Sequence, residues 1–137
     1  MKTPLLVTLT AAMLLVGCAS TLKKLSGPKL DYHEYTGEPV KSFYMPNLDG
    51  WTPVSKDEVV VWSGINEAYL LKISGYCPDL QYANAIAVTS TGNTVDKFEK
   101  VIVGREKCFI QEIRPVDVKQ MKADRKVLRD QAKAEES

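Results

Sequence analysis

The chain has 137 residues, 45% of them hydrophobic and 26% charged, which leaves room for one modest globular domain and none for a second. A formal net charge of +1 gives no global field of the kind that draws nucleic acid to a protein surface, so nucleic-acid binding is set aside. Three cysteines are an odd number, and in an exported protein one of them then has a task other than pairing within the chain.

The first twenty residues read as an address. Lys2 precedes an apolar stretch over residues 5–16, broken only by Thr8 and Thr10, and Gly17 and Cys18 follow. This is a signal-peptide layout. The apolar part is shorter than the roughly 20 residues a helix needs to cross the hydrocarbon core, which disfavours a permanent span. Leu15, Val16, Gly17 and Cys18 resemble the bacterial lipobox, with a branched apolar residue, two smaller ones and a cysteine. That resemblance implies recognition of Leu15, Val16 and Gly17 by the lipoprotein signal peptidase, removal of residues 1–17, and lipid attachment at Cys18. A thiol is required because the diacylglyceryl group is joined through sulfur. Each buried methylene contributes about 0.8 kcal/mol, so two or three fatty-acyl chains of the palmitate kind anchor firmly where a single one is marginal. Ala19 stands where the inner-membrane sorting rule wants aspartate, and the expected location is the periplasmic face of the bacterial outer membrane.

Residues 18–39 change to Ser, Thr, Lys, Gly and Pro and read as the lipidated N-terminus followed by a flexible tether. His33, the one histidine, falls here with Asp31 and Glu34; it does not complete a His-Glu-x-x-His zinc pattern, and a solvated spacer is the expectation.

Residues 40–116 carry short β-rich runs between turn signals, the pattern of a small antiparallel sheet or partly open barrel of about five to seven strands. Val40, Phe43, Tyr44 and Met45 suggest a first strand, residues 46–50 a turn, and Trp51 a packing side chain. A run at 58–63 is followed by a turn and by a strand over 68–74. There Tyr69, Leu71 and Ile73 share one face, and Leu70, Lys72 and Ser74 the other, which places one side in a core. A single helical turn is expected within 78–85, a strand over 85–90, a hairpin-like turn at Thr91, Gly92 and Asn93, a longer strand over 95–103, and a last one over 108–113. Short loops between consecutive strands imply antiparallel pairing.

With Cys18 taken by lipid, Cys77 and Cys108 remain in an oxidising compartment, and a disulfide between them is expected. Their spacing is not the Cys-x-x-Cys of redox enzymes, so the bond is read as structural. After Pro115 the pattern turns helical over residues 117–137. Asp117 caps the start, Gln120 is placed to reach back, and Val118, Met121, Leu128 and Ala132 form a stripe interrupted by Arg125. The charged face reads as solvated surface.

No nucleophile elbow, phosphate-cradling glycine loop or dinucleotide fingerprint is present in the sequence. Asp79 and Asp96 are carboxylates that nothing pairs, and Trp51, Trp62, Tyr69, Tyr76 and Tyr82 read first as packing side chains and second as a ligand groove. No catalytic residue, metal ligand or cofactor is therefore assigned.

Tyr69, Leu70 and Leu71, then Cys77, Pro78, Asp79 and Leu80, then Ala85 and Ile86, and later Cys108, Ile110 and Ile113 resemble an uncharacterised family of small exported bacterial two-cysteine proteins, domain of unknown function number 6491. The resemblance covers about residues 42–117, including Gly50 and Trp51, and supports the pairing of Cys77 with Cys108. It implies no activity or ligand. The expectation is a non-enzymatic envelope lipoprotein, held to the membrane by acyl chains, that binds an envelope protein or cell-wall partner or assists an assembly. The rival readings are an inhibitor of cell-wall lytic enzymes, an analogy of architecture alone, and an envelope hydrolase.

Overall fold

In a computed structural model, which describes residues 30–137, short loops turn each β run back against a neighbour. The strands are β1 Ser42–Tyr44, β2 Gly50–Ser55, β3 Glu58–Gly64, β4 Glu67–Ser74, β5 Ala87–Val88, β6 Thr94–Asp96, β7 Lys100–Val103 and β8 Glu106–Val116; helix α1 is Val118–Glu135. Residues 1–29, with Leu15, Val16, Gly17 and Cys18, lie outside the described residues. The fold is mainly β: a six-stranded antiparallel half-barrel in the order β2-β3-β4-β8-β7-β5, a two-stranded sheet of β1 and β6, and one C-terminal helix.

Local chemistry sets the turns. Gly92 and Asn93 both take positive φ, 58° and 62°, and Thr91 and Thr94 exchange backbone hydrogen bonds across them, the geometry that suits the right-handed twist of a hairpin. The single strand expected over 95–103 is two, because Asp96 Oδ1 accepts from the Phe98 amide at 2.7 Å and turns the chain between β6 and β7. Register shifts in β2–β3, β3–β4 and β4–β8 bend the sheet.

The sheet buries apolar side chains on both faces. On its concave side Val59, Val61, Leu71, Ile73, Val101, Ile110 and Ile113 meet Phe43 and Val95, which face each other in the β1–β6 pair. Phe43 stacks on Tyr69 with ring centres 4.0 Å apart, and Leu80, from the 3-10 turn Pro78–Tyr82, joins the same core. The convex side packs Val60, Ala68, Leu70 and Val116 against Val118 and Met121 of α1 and against Leu30, Tyr32 and Tyr35. Leu70, expected on an outward face, is therefore buried like its neighbour Leu71, and the core has two layers rather than one.

The tether expected as far as residue 39 gives way earlier to folded chain. From Leu30 the segment packs on the convex core, forms a 3-10 turn at Tyr32–Tyr35, and then runs beside β8, with the Gly37 amide donating to Pro115 O and the Val40 amide to Ile113 O. The approach is close enough that a Cβ on Gly37 would meet Pro115 Cγ at 3.3 Å.

Candidate binding face

Alternation along four strands brings a set of polar and aromatic side chains to the convex face. Glu58 of β3 lies opposite Lys72 of β4, and Lys72 opposite Glu112 of β8. Glu112 is ion-paired with Arg114, whose Nη1 also donates to Gly37 O at 3.3 Å. The Arg114 hydrogen bond holds the Glu112 carboxyl below its usual range, with Lys72 and Lys97 adding smaller attractions, and in return raises the Arg114 guanidinium. Charges thus alternate across the three strands from Glu58 through Lys72 to Glu112.

His33, which the sequence places in a solvated spacer, closes this row. Its Nδ1 lies 2.7 Å from Asp31 Oδ1 and its Nε2 2.9 Å from Glu58 Oε2, and between His33, Glu58, Lys72, Glu112 and Arg114 there is a polar cleft of about 260 Å³. The hydrogen bond to Asp31 raises the imidazole above its ordinary value, with Glu58 contributing less, while Asp31 is lowered first by the His33 backbone amide that donates to it and then by the imidazole. With a carboxylate at each ring nitrogen, His33 donates on both sides when its imidazole is protonated. It acts as a clasp between the N-terminal segment and β3.

Beyond this row the convex face carries a different group. Lys100 and Ile102 of β7 and Lys107 and Phe109 of β8 stand on it in register, Lys100 opposite Phe109 and Ile102 opposite Lys107. Lys100 Nζ sits 5.2 Å from the Phe109 ring centre, a cation–π contact, and Phe109 is still 52% exposed. Phe98, in the turn before β7, is 89% exposed. Neither phenylalanine was singled out from sequence. The signal was available in 106–110, where Cys108 and Ile110 alternate inward and leave Lys107 and Phe109 outward.

The aromatics considered for a ligand groove do not assemble into one. Trp51 and Tyr69 pack on the concave core, Trp62 on the convex one, and Tyr76 and Tyr82 are exposed. Tyr69 is pushed up to about 12 by burial first and by its bond to Glu67 second. Asp96 is spent on its turn, and Asp79 is an exposed residue of the 3-10 turn. Cys77 and Cys108 form the expected disulfide, with Cα atoms 6.0 Å apart. A Glu106 carboxylate oxygen lies within 4.8 Å of both sulfurs, but these are committed to each other, and the carboxylate alone is no metal site.

The chain belongs to DUF6491, a family of unknown function whose model matches residues 1–132. No curated protein and no solved structure matches it.

Proposed function

We propose that this member of the family is a lipid-anchored, non-enzymatic protein of the bacterial cell envelope, held on the periplasmic face of the outer membrane through Cys18, and that its domain engages an envelope component through the uncovered half of the convex face. The anchor rests on the lipobox resemblance of Leu15, Val16, Gly17 and Cys18 and the location on Ala19. One observation carries the binding role: in a fold that buries apolar residues on both sides of its sheet, Phe109 stays half exposed beneath Lys100 on a regular strand. Aromatic side chains paired with cations are favoured contact groups because they combine a large apolar area with a polar edge at little entropic cost.

The test is site-specific photocrosslinking in cells with the tagged, lipidated protein. The crosslinker is placed at position 109 and, for comparison, at position 135 near the end of α1. Adducts with one class of envelope component from 109 alone are expected. The same adducts from both positions, or none from 109, overturn the binding role. Metabolic fatty-acid labelling that persists in a Cys18→Ala form overturns the anchor.

A further inference from the structure

We infer that the component met by the convex face is the anionic headgroup surface of the bilayer that holds the acyl anchor. This rests on the reading above.

Two independent features point there. The first is where the chain leaves the domain. Leu30, the first described residue, packs in the convex core beside Tyr32 and Tyr35, so the described chain begins on the convex side of the sheet. Twelve peptide units separate Cys18 from Leu30, and at the full reach of the chain they span about 40 Å at most, whatever their conformation. A bilayer surface is then confined to within a domain's breadth of this face, where weak contacts gain from high effective concentration.

The second feature is composition. The uncovered half presents Lys100 and Lys107 with Phe109 and Ile102, and the turn before β7 adds Lys97, near enough to attract Glu112, and the exposed Phe98. The nearby acids are already engaged: Glu112 pairs with Arg114, Glu58 meets His33, and Glu99, which also attracts the adjacent Lys100, accepts from the Thr89 and Thr91 hydroxyls. What is left is cationic and aromatic, and it lies on the half of that face away from α1 and the N-terminal segment, where Phe109 stays exposed. Lysine stems lie along apolar surface with the ammonium at phosphate level, and aromatic rings sit in the interfacial layer, so this pairing fits a membrane surface. No helix of the described residues is long and apolar enough to cross a membrane.

The experiment uses the chain from residue 19 onward, which has no acyl group and keeps every described residue, so its outcome does not depend on the anchor. Binding is measured to vesicles of phosphatidylcholine alone and of phosphatidylcholine with phosphatidylglycerol, by co-sedimentation at low and high salt. Preference for the anionic vesicles, lost in high salt, is expected. Each lysine removed from the patch weakens it about five-fold, since a lysine near such a surface contributes about 1 kcal/mol. Lys100→Gln with Lys107→Gln then costs about twenty-five-fold by the same constant, and Phe109→Ser weakens binding with the salt dependence retained. Equal binding to both vesicle types, no binding, or anionic binding untouched by the double variant overturns the inference, with circular dichroism showing that each variant is folded. Crosslinks from position 109 to a protein, together with no vesicle binding, remove the membrane assignment and leave the binding role intact.

Discussion

His33 Nε2 meets Glu58 Oε2 at 2.9 Å across 25 positions of sequence, while the other ring nitrogen is held by Asp31. The pair fastens the N-terminal segment to β3 and is a titratable part of that fastening. Because the folded-state pKa of His33 is raised, first by Asp31 and then by Glu58, its stabilising contribution is complete below the unfolded value of 6.5 and is lost as pH rises through the folded value. His33 is half exposed, so the effect on global stability stays below about 1 kcal/mol. Amide exchange is the sensitive readout: protection of the Thr36 and Gly37 amides should fall as pH is raised above neutrality, after correction for intrinsic rates, and a His33→Gln form should lose that dependence. An unchanged pH profile in the variant would show that the clasp does not hold in solution.

The Cys77–Cys108 bond closes a loop across a separation of 31 residues. Constraining a loop of that length in the unfolded chain stabilises the native state by about 4 kcal/mol, a large share of the total for a small domain. Replacing both cysteines by alanine should lower the urea midpoint accordingly. A loss under about 1 kcal/mol would mean that the unfolded chain is already restricted there.

Legibility in the sequence followed the strength of the local pattern. Val59 to Val61 and the alternation around Leu71 announce strands because long apolar runs have few other uses in a small domain. Strand β2 does not announce itself: Gly50, Thr52, Pro53 and Ser55 are turn residues, and pairing with β3 overrides them, with Pro53 tolerated because β2 is an edge of the sheet. The segment from Leu30 to Pro39 has the composition of a spacer, and its docking depends on Tyr32 and Tyr35 finding a convex core that forms only from distant strands. The binding face is illegible for a related reason. Its members come from β7, β8 and a turn, and only the tertiary register puts Lys100 over Phe109.

The helical stripe of Val118, Met121, Leu128 and Ala132 is used unevenly. Val118 and Met121 are buried in the convex core, Leu128 is half buried and Ala132 is exposed. Met121→Ala should therefore cost about 2–5 kcal/mol, in the range of buried large-to-small changes, Leu128→Ala about 1 kcal/mol or less, and Ala132→Ser nothing measurable. Chemical denaturation of the three variants decides this. Comparable losses at 121 and 128 would mean that α1 is covered along its whole length by something the monomer lacks.

At its first turn α1 is capped by Asp117, whose Oδ1 accepts from the Gln120 amide at 3.0 Å. The Gln120 side chain does not complete a capping box; its Nε2 donates forward to Asp124 Oδ1 at 2.8 Å. Asp117→Ala should destabilise by about 1 kcal/mol, while Gln120→Ala should leave the cap intact and cost no more than a few tenths, as for an exposed i,i+4 pair. Equal effects of the two substitutions in thermal melts would restore the reciprocal box.

Asp124 has a second partner, Tyr35, whose hydroxyl donates to its Oδ2 at 2.8 Å and ties the N-terminal segment to α1. Ionising the phenol would remove the donor and set two negative charges together, and the hydrogen bond to Asp124 accordingly pushes Tyr35 up to about 12, with burial second. Tyr69 is raised as far, chiefly by burial against Phe43. Spectrophotometric titration should then show a late phase worth two tyrosines, and Tyr35→Phe should reduce it to one. With Asp124→Asn the amide oxygen still accepts but carries no charge, so the Tyr35 share should move back toward 10 without reaching it. If Tyr35→Phe leaves the late phase at two, the hydrogen bond between Tyr35 and Asp124 is not made in solution, and the N-terminal segment is held to α1 by apolar packing in the convex core.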